Sequence, residues 1–441
     1  MKRTEELVKK QFQIENHQLK IGAFTVDQIV GTYGTPVYVY DARGIIQTYH
    51  SITGHLPGGV EIFYSIKANP SLAICQLLRH LGAGAEIASL GELNLALKAG
   101  FPPNRIVFAG PGKTPGELEA AIQNNILMIN VESLQELETI VNICQASGLT
   151  ANVGIRINPA VNVTNSQMSM GGGSQKFGID ESQLEEAVRY TLTHHRYLLF
   201  KGFHLYVGTQ IFDHQGILEN FKNMIRIVRE VMSRFPHVPV GIIDFGAGFG
   251  IPYYKKETDF NLHGFLTGFA PIMTAVRQEP IFKKTHFIFE MGRYLTARSG
   301  IYLSRVLYSK TSGDRCHVIL DGGMHHNAVG TGNMGQRIPK KFPLCVANKL
   351  GLPLTQKANI AGPLCTPLDS FGRDFEVPEI QPGDIVAVLQ MGAYGLTASM
   401  NHFLSHPICG EVMIDGELSQ WIREPTKPGD IFQGQHLFSR I

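Results

Sequence analysis

The run "FYSIKANP" (63–70) places an ammonium, Lys67, at the end of an apolar, strand-like segment. Lysine is almost never fully buried without a partner, so this one has two readings. Either it reaches solvent from a strand end, or its pKa is lowered so that it forms a Schiff base with a carbonyl. Three further features are of the same kind. His204 and Tyr206 stand two residues apart near the end of another apolar run, which puts both on one face of a strand. "FGAGFG" (245–250) follows a third run, and Glu290 ends a fourth. Each also has an ordinary role: solvated lysine, core imidazole, tight turn or helix cap. Their shared position at the ends of strand-like runs sets them apart.

Those runs are "VEIFYSIKA" (60–68), "AEIAS" (85–89), "RIVFAG" (105–110), "ILMINV" (126–131), "NVGIRI" (152–157), "FKGFHLYV" (200–207), "VGIIDF" (240–245) and "HFIFEM" (286–291). Most are continuously apolar, as parallel strands covered on both faces must be. Helical stripes lie between them, at 71–81, 133–147, 117–124 and 215–235. Strict alternation over eight strands predicts a (β/α)8 barrel, ranked above a doubly wound open sheet. In a barrel the chemistry sits at the C-terminal ends of the strands, and the loops after strands seven and eight are the usual phosphate site. Lys67, His204, Tyr206, "FGAGFG" and Glu290 all fall at that end.

After residue 293 the alternation stops. "IYLSRVLYS", "CHVILD", "DIVAVLQ" and "GEVMIDG" are short strands separated by turns such as "QPGD" (381–384). The expected organisation is a barrel over 42–293 and a β-rich domain over 294–441, joined by the segment 1–41. "VYVYD" (37–41) is expected to pair with the β-rich domain. The 441 residues suit two domains. A formal charge of +2 predicts no broad attraction to nucleic acid or membrane. The charged N-terminus lacks an apolar core for a secretory signal. No apolar run is long enough to span a bilayer. Six scattered cysteines without a C-x-x-C pair suit a reducing cytoplasm and argue against disulfides or a zinc site.

Five motifs, in order, resemble those of the fold-type III pyridoxal-phosphate decarboxylases, the group holding diaminopimelate, ornithine and arginine decarboxylases. "FYSIKANP" is similar to the cofactor-lysine motif and "IDFGAGFGIPY" to the glycine-rich phosphate loop. "FEMGRYLTA" resembles E-P-G-R with Met291 in place of proline. "GPLCTPLD" resembles G-P-x-C, and "MGAYG" the G-A-Y motif. The likeness runs from about Gly22 to about Gly410. It implies a barrel of the alanine racemase type with a C-terminal β-rich domain, and a cytoplasmic homodimer with shared sites.

The resemblance also implies residue roles. Lys67 would hold pyridoxal 5'-phosphate covalently, and Glu290 would face the pyridine nitrogen. Gly246, Ala247, Gly248, Phe249 and Gly250 would offer N–H groups to the phosphate, with Gly292, Arg293, Tyr394 and Thr209 beside it. Tyr206 falls where many members have a histidine stacked on the cofactor ring, His204 resembles another histidine of the diaminopimelate-type motif, and both would be cofactor-binding. Cys365 would return a proton to Cα after CO2 leaves, working across the dimer interface from Lys67. Arg293, Arg337, Cys365, Asp369 and Tyr394 would meet the substrate. No metal is expected.

The pocket departs from the family where the family reads a distal group. Diaminopimelate decarboxylases carry C-E-S-G-D; here the run is Cys365-Thr366-Pro367-Leu368-Asp369. Val329 stands where those enzymes have an arginine, and ornithine-type enzymes place an aspartate where Thr366 is. Losing such a carboxylate removes a charged hydrogen bond to a distal ammonium, ~1.5–3 kcal/mol. "MGQRIPKKFP" (334–343) brings Arg337, Lys340 and Lys341 either to the pocket mouth or to solvent. The altered run resembles biosynthetic-cluster relatives acting on unusual or carrier-tethered amino acids, such as L-glutamyl-carrier decarboxylases. The expected activity is decarboxylation of an L-amino acid or a carrier-bound derivative. The alternatives are diaminopimelate decarboxylation towards lysine, a racemase, which would lack G-P-x-C, and a non-catalytic pyridoxal-phosphate binder.

Overall fold

A computed structural model describes residues 2–160, 168–169, 174–254, 256–333 and 340–438. It divides into two compact units. One is Ile46–Pro252 with Thr258–Leu295; the other is Met1–Ile45, Tyr253–Glu257 and Thr296–Ile441.

The first unit is a closed parallel barrel. Its strands are β1 (Val60–Ser65), β2 (Gly84–Ile87), β3 (Ile106–Phe108), β4 (Met128–Val131), β5 (Ala151–Asn158), β6 (Leu198–Leu205), β7 (Ile242–Gly246) and β8 (His286–Met291). Each pairs with the next, β8 pairs with β1, and β4 with β5, so the ring has no free edge. This bears out the (β/α)8 reading. The helices between strands are punctuated by caps legible in the chain. Thr114 and Glu117 form a reciprocal capping box at Pro115–Gln123. Ser133 caps Leu134–Ser147, which ends at Gly148 in the left-handed region. Aspartate 213 caps the long helix His214–Met232. That helix seats Phe221 among Phe245, Phe269 and Phe289, with ring centroids 5.0–6.5 Å apart. Such aromatic pairs contribute about 0.5–1.5 kcal/mol each beyond the area they bury. They fix β7 and β8, the two strands that carry Asp244 and Glu290.

The second unit is mainly β. Val37–Asp41 lies between Gly300–Ser312, which it pairs antiparallel, and Gly410–Asp415, which it pairs parallel. A strand with neighbours on both edges and cover on both faces has to be apolar throughout, and "VYVY" is buried throughout. Its tyrosine hydroxyls are satisfied by the His326 carbonyl, at 2.8 Å from Tyr38, and by Glu411, at 2.7 Å from Tyr40. The runs "IYLSRVLYS", "CHVILD", "DIVAVLQ" and "GEVMIDG" all fall on strands here. The short segment Tyr253–Glu257, between barrel elements in the chain, also belongs to this unit, where Tyr253 packs on Phe342 with centroids 4.4 Å apart. No helix among the described residues is long and apolar enough to cross a membrane.

Candidate active site

Lys67 is not the last residue of its strand. β1 ends at Ser65, and Ile66–Ala68 form a single 3-10 turn that carries the lysine out of the sheet. Ser65 is in register with Glu86 on β2. Two residues further, the Lys67 ammonium donates to both oxygens of Glu86 at 2.8 Å. The lysine side chain is 40% exposed and the glutamate 1%. The ring of Tyr206 lies 5.8 Å from the same nitrogen. The ammonium thus meets a buried carboxylate rather than apolar surroundings alone.

Deeper in the barrel, His204 on β6 and Glu290 on β8 approach to 3.3 Å, both fully inside. Burial pushes the Glu290 carboxyl up. The His204 ring first, then the Lys67 and Arg156 charges, outweigh it and bring the group down to about 2. These charges favour the anionic form of Glu290. Its Oε1 has no hydrogen-bond partner among the described residues, so one acceptor remains open. Arg156 on β5 is held by Glu132 at 2.7 Å. Glu132 in turn accepts from the Gly110 and Gly178 amides at 2.7 and 3.0 Å.

The run after β7 is shaped by contacts that forbid side chains. A Cβ on Gly246 would stand 1.9 Å from the Tyr206 ring. Gly248 has φ +64°, and a Cβ there would come within 2.2 Å of the Gly208 carbonyl. Not every amide of this run is open to an anion, contrary to the expectation for all five residues. Ala247 N–H donates to the Glu290 carbonyl at 3.3 Å and Gly250 N–H to Ile211 at 2.9 Å, because the loop folds back on its neighbours. Gly248 and Phe249 make no such bond among the described residues. The loop is also clamped by Gln210, whose side chain donates to the Ile251 carbonyl and accepts from the Ile251 N–H, both at 2.9 Å. Thr209, one residue earlier, is half-buried in the short strand Gly208–Thr209. Arg293 opens the turn Arg293–Thr296 beyond β8, directly after Gly292, which packs against Ala68 and Ser65.

The remaining expected residues lie in the other unit. Cys365 has an exposed thiol. Asp369 does not face outward towards a substrate: it is buried and accepts from the Met324 and Leu364 amides at 2.7 and 2.9 Å. Its carboxylate holds the turn that carries Cys365, since those buried N–H groups would otherwise lack acceptors. Lys341 is likewise turned inward, donating to the Thr331 and Ser370 carbonyls at 2.6 Å. Lys340 sits over the Tyr254 ring, 4.7 Å from its centroid. Tyr394 holds a left-handed backbone, φ +54°. Val329 is buried. Arg337 lies outside the described residues.

Residues 42–297 match the family described as pyridoxal-dependent decarboxylase, pyridoxal binding domain. The chain belongs to that family. An L-glutamyl-[BtrI acyl-carrier protein] decarboxylase of Niallia circulans is 38% identical to this decarboxylase over 406 residues, 91% of the chain and 94% of that protein. A diaminopimelate decarboxylase of Helicobacter pylori is 31% identical over 412 residues, 93% of the chain and 98% of that enzyme. A Methanocaldococcus jannaschii diaminopimelate decarboxylase structure superposes with a TM-score of 0.85 at 28% identity, covering 98% of this chain and 99% of that one. The barrel and the separate β-rich unit are thus the architecture of this family, and the decarboxylase is pyridoxal-phosphate dependent.

The barrel's donor set fits that cofactor. It holds a primary amine at a strand end, a buried carboxylate with one open acceptor, and backbone amides in a glycine-rich turn. A ring nitrogen that carries a proton needs such an acceptor, and a phosphate needs such amides. Three residues that motif reading passed over also stand at this site: Glu86 beside Lys67, Asp244 beside Glu290, and Gln210 under the loop. Glu86 and Asp244 left a trace in the sequence, as carboxylates inside otherwise apolar strands. Gln210 left none.

Proposed function

We propose that this decarboxylase removes the α-carboxylate of an L-amino acid whose distal end is neutral or acidic, with glutamate held as a thioester on a carrier protein the leading candidate. The carrying observation is the 38% identity, over nearly the whole length of both chains, to a decarboxylase whose name gives a carrier-bound L-glutamyl substrate. The pocket chemistry supports it. Thr366 and Pro367 follow Cys365, and Val329 is a buried aliphatic residue, so the groups that would pair with a distal ammonium and carboxylate are absent from those positions. A distal ammonium left unpaired on desolvation is costly.

In this reading pyridoxal phosphate, when bound, supplies the electron sink as CO2 leaves Cα. Lys67 holds the cofactor through its amine, and Glu86 fixes that amine before the cofactor arrives. Glu290 faces the ring nitrogen and keeps a proton on it by opposite charge. Gly248 and Phe249 offer amides to the phosphate, and Arg293, Thr209 and Tyr394 add polar groups. Cys365, an exposed thiol, would return the proton to Cα, in a site that the chain would share with Lys67 of a second copy in a homodimer.

The test is kcat/KM for meso-diaminopimelate, L-lysine and L-ornithine against L-glutamate and a glutamyl thioester on a carrier protein, with CO2 release as the signal. The thioester or glutamate should lead. A diamino acid ahead by more than tenfold would reject this pocket reading and leave the decarboxylase assignment intact.

A further inference from the structure

His204, Asp244 and Glu290 form one cluster inside the barrel. His204 and Asp244 are directly in register on β6 and β7. Asp244 is in register with Ile288 on β8, so Glu290, two residues on, shares its face. One donor atom from each lies within 4.8 Å of the other two, and all three side chains are buried. Asp244 Oδ2 accepts from the Asn130 amide at 3.2 Å, while Asp244 Oδ1 and Glu290 Oε1 have no partner among the described residues.

The charges around this cluster do not balance if both carboxyls are ionised. Lys67 is matched by Glu86 and Arg156 by Glu132. Among the described residues that leaves at most one positive charge, on the His204 ring, beside two carboxylates, and Asn130 is neutral. Like charges this close, in a buried site, disfavour the doubly ionised state. One proton closes the balance.

We infer that Asp244 keeps that proton at neutral pH and donates it to Glu290, so that the pair presents a single negative charge. Asp244 rather than Glu290 carries it because Glu290 has the His204 contact at 3.3 Å, whereas the hydrogen bond Asp244 accepts among the described residues comes from a neutral amide. The electrostatics agree: burial, then the Glu290 charge and that of Glu86, push the Asp244 carboxyl well above the usual range. A donor on Glu290 lowers that group's own proton affinity. The proton shared between Glu290 and a ring nitrogen then stays on the ring. Asp244 is a positioning residue, acting through Glu290. This last step rests on the reading of Glu290 given above; the proton on Asp244 does not.

Infrared spectroscopy at neutral pH tests the proton in cofactor-free and cofactor-loaded protein. A protonated-carboxyl band should shift on carbon-13 labelling of aspartate and disappear in Asp244→Asn. No band removed by that substitution would overturn the inference, and would leave two anions bridged by a cation. Nitrogen-15 resonances of labelled pyridoxal phosphate test the second half. Asp244→Asn, which still donates, should leave the ring nitrogen protonated as in the wild type. Asp244→Leu, which cannot, should make Glu290 more basic and draw the shared proton from the ring towards it, so that the ring-nitrogen resonance at neutral pH moves towards that of an unprotonated ring. An unchanged ring-nitrogen resonance in Asp244→Leu would overturn the role towards Glu290. If Asp244→Leu does not fold, the infrared comparison and the Asp244→Asn resonance still decide. If instead the cofactor proves not to sit on Lys67, the reading of the site fails while the infrared result stands.

Discussion

Replacing Gln210 with methionine should loosen the loop after β7 without touching any group that reacts. Gln210 is 6% exposed and bonds both backbone groups of Ile251, which is itself fully buried. Methionine fills similar space but leaves one N–H and one C=O without partners. A buried polar group left unsatisfied costs about 1–3 kcal/mol, so the pair comes to roughly 3 kcal/mol once some local relaxation is allowed. The left-handed backbone at this position, φ +58°, is present in both proteins and cancels. For a unit of this size, 1 kcal/mol moves Tm by about 2–4 °C, which gives a drop of about 6–12 °C. The assay is a thermal scan of cofactor-free protein, followed by titration with pyridoxal phosphate. Because the clamp holds the turn that offers Gly248 and Phe249, Kd for the cofactor should weaken about tenfold or more. Gln210→Glu keeps the acceptor for Ile251 N–H and loses the donor, so it should fall between the two. A Tm within 2 °C of the wild type together with an unchanged Kd would refute the clamp.

Borohydride treatment of the loaded enzyme should fix a pyridoxyl group on the peptide containing Lys67, and Lys67→Ala should lose turnover almost completely; label on another lysine would reject the assignment. Glu290→Gln should still bind cofactor yet turn over orders of magnitude more slowly, and full activity would reject its role. Mixing inactive Lys67→Ala with inactive Cys365→Ala should restore part of the activity, and no recovery after confirmed subunit exchange would mean that sites are not shared or that Cys365 is not needed. Burial, with His326 and His406 beside it, pushes the His325 ring down to about 3, and burial brings His326 to about 4. Both folded values lie below the ordinary one near 6.5, so the unfolded chain takes up protons first and stability falls as pH drops below about 6.5. His325→Leu should flatten the decline in Tm between pH 7 and pH 5, and an unaltered slope would count against a neutral buried ring.

The barrel was legible because its strands are short apolar runs at regular intervals, and burial on both faces leaves no other composition open to them. Val37–Asp41 was legible for the same reason. Features set by contacts between distant residues were not. Asp369 looked like a substrate ligand because it follows Cys365 in the chain, yet the amides it holds belong to Met324 and Leu364. Lys341 read either as a mouth cation or as a solvated charge, but its ammonium satisfies two backbone carbonyls. The Ala247 and Gly250 amides looked available, and their acceptors lie on neighbouring segments. In each case a side chain or amide was read outward because nothing local marks an inward partner.

One local signal was used only in part. Seven of the eight barrel strands carry a polar residue that the fold buries, among them Ser65, Glu86, Asn130, Arg156, His204, Asp244 and Glu290. A barrel interior is normally filled by branched apolar side chains, so a charge inside an apolar run already says that the lumen is not only packing there. What the sequence withholds is the pairing. Lysine 67 with Glu86, Arg156 with Glu132 and His204 with Glu290 join positions 19 or more residues apart. Since buried charges persist only when matched, the site's electrostatics are a property of the closed ring as a whole. Removing one member should therefore disturb the protonation of its neighbours more than the packing of the barrel, and for that reason the decisive measurements on this site are those that follow protons.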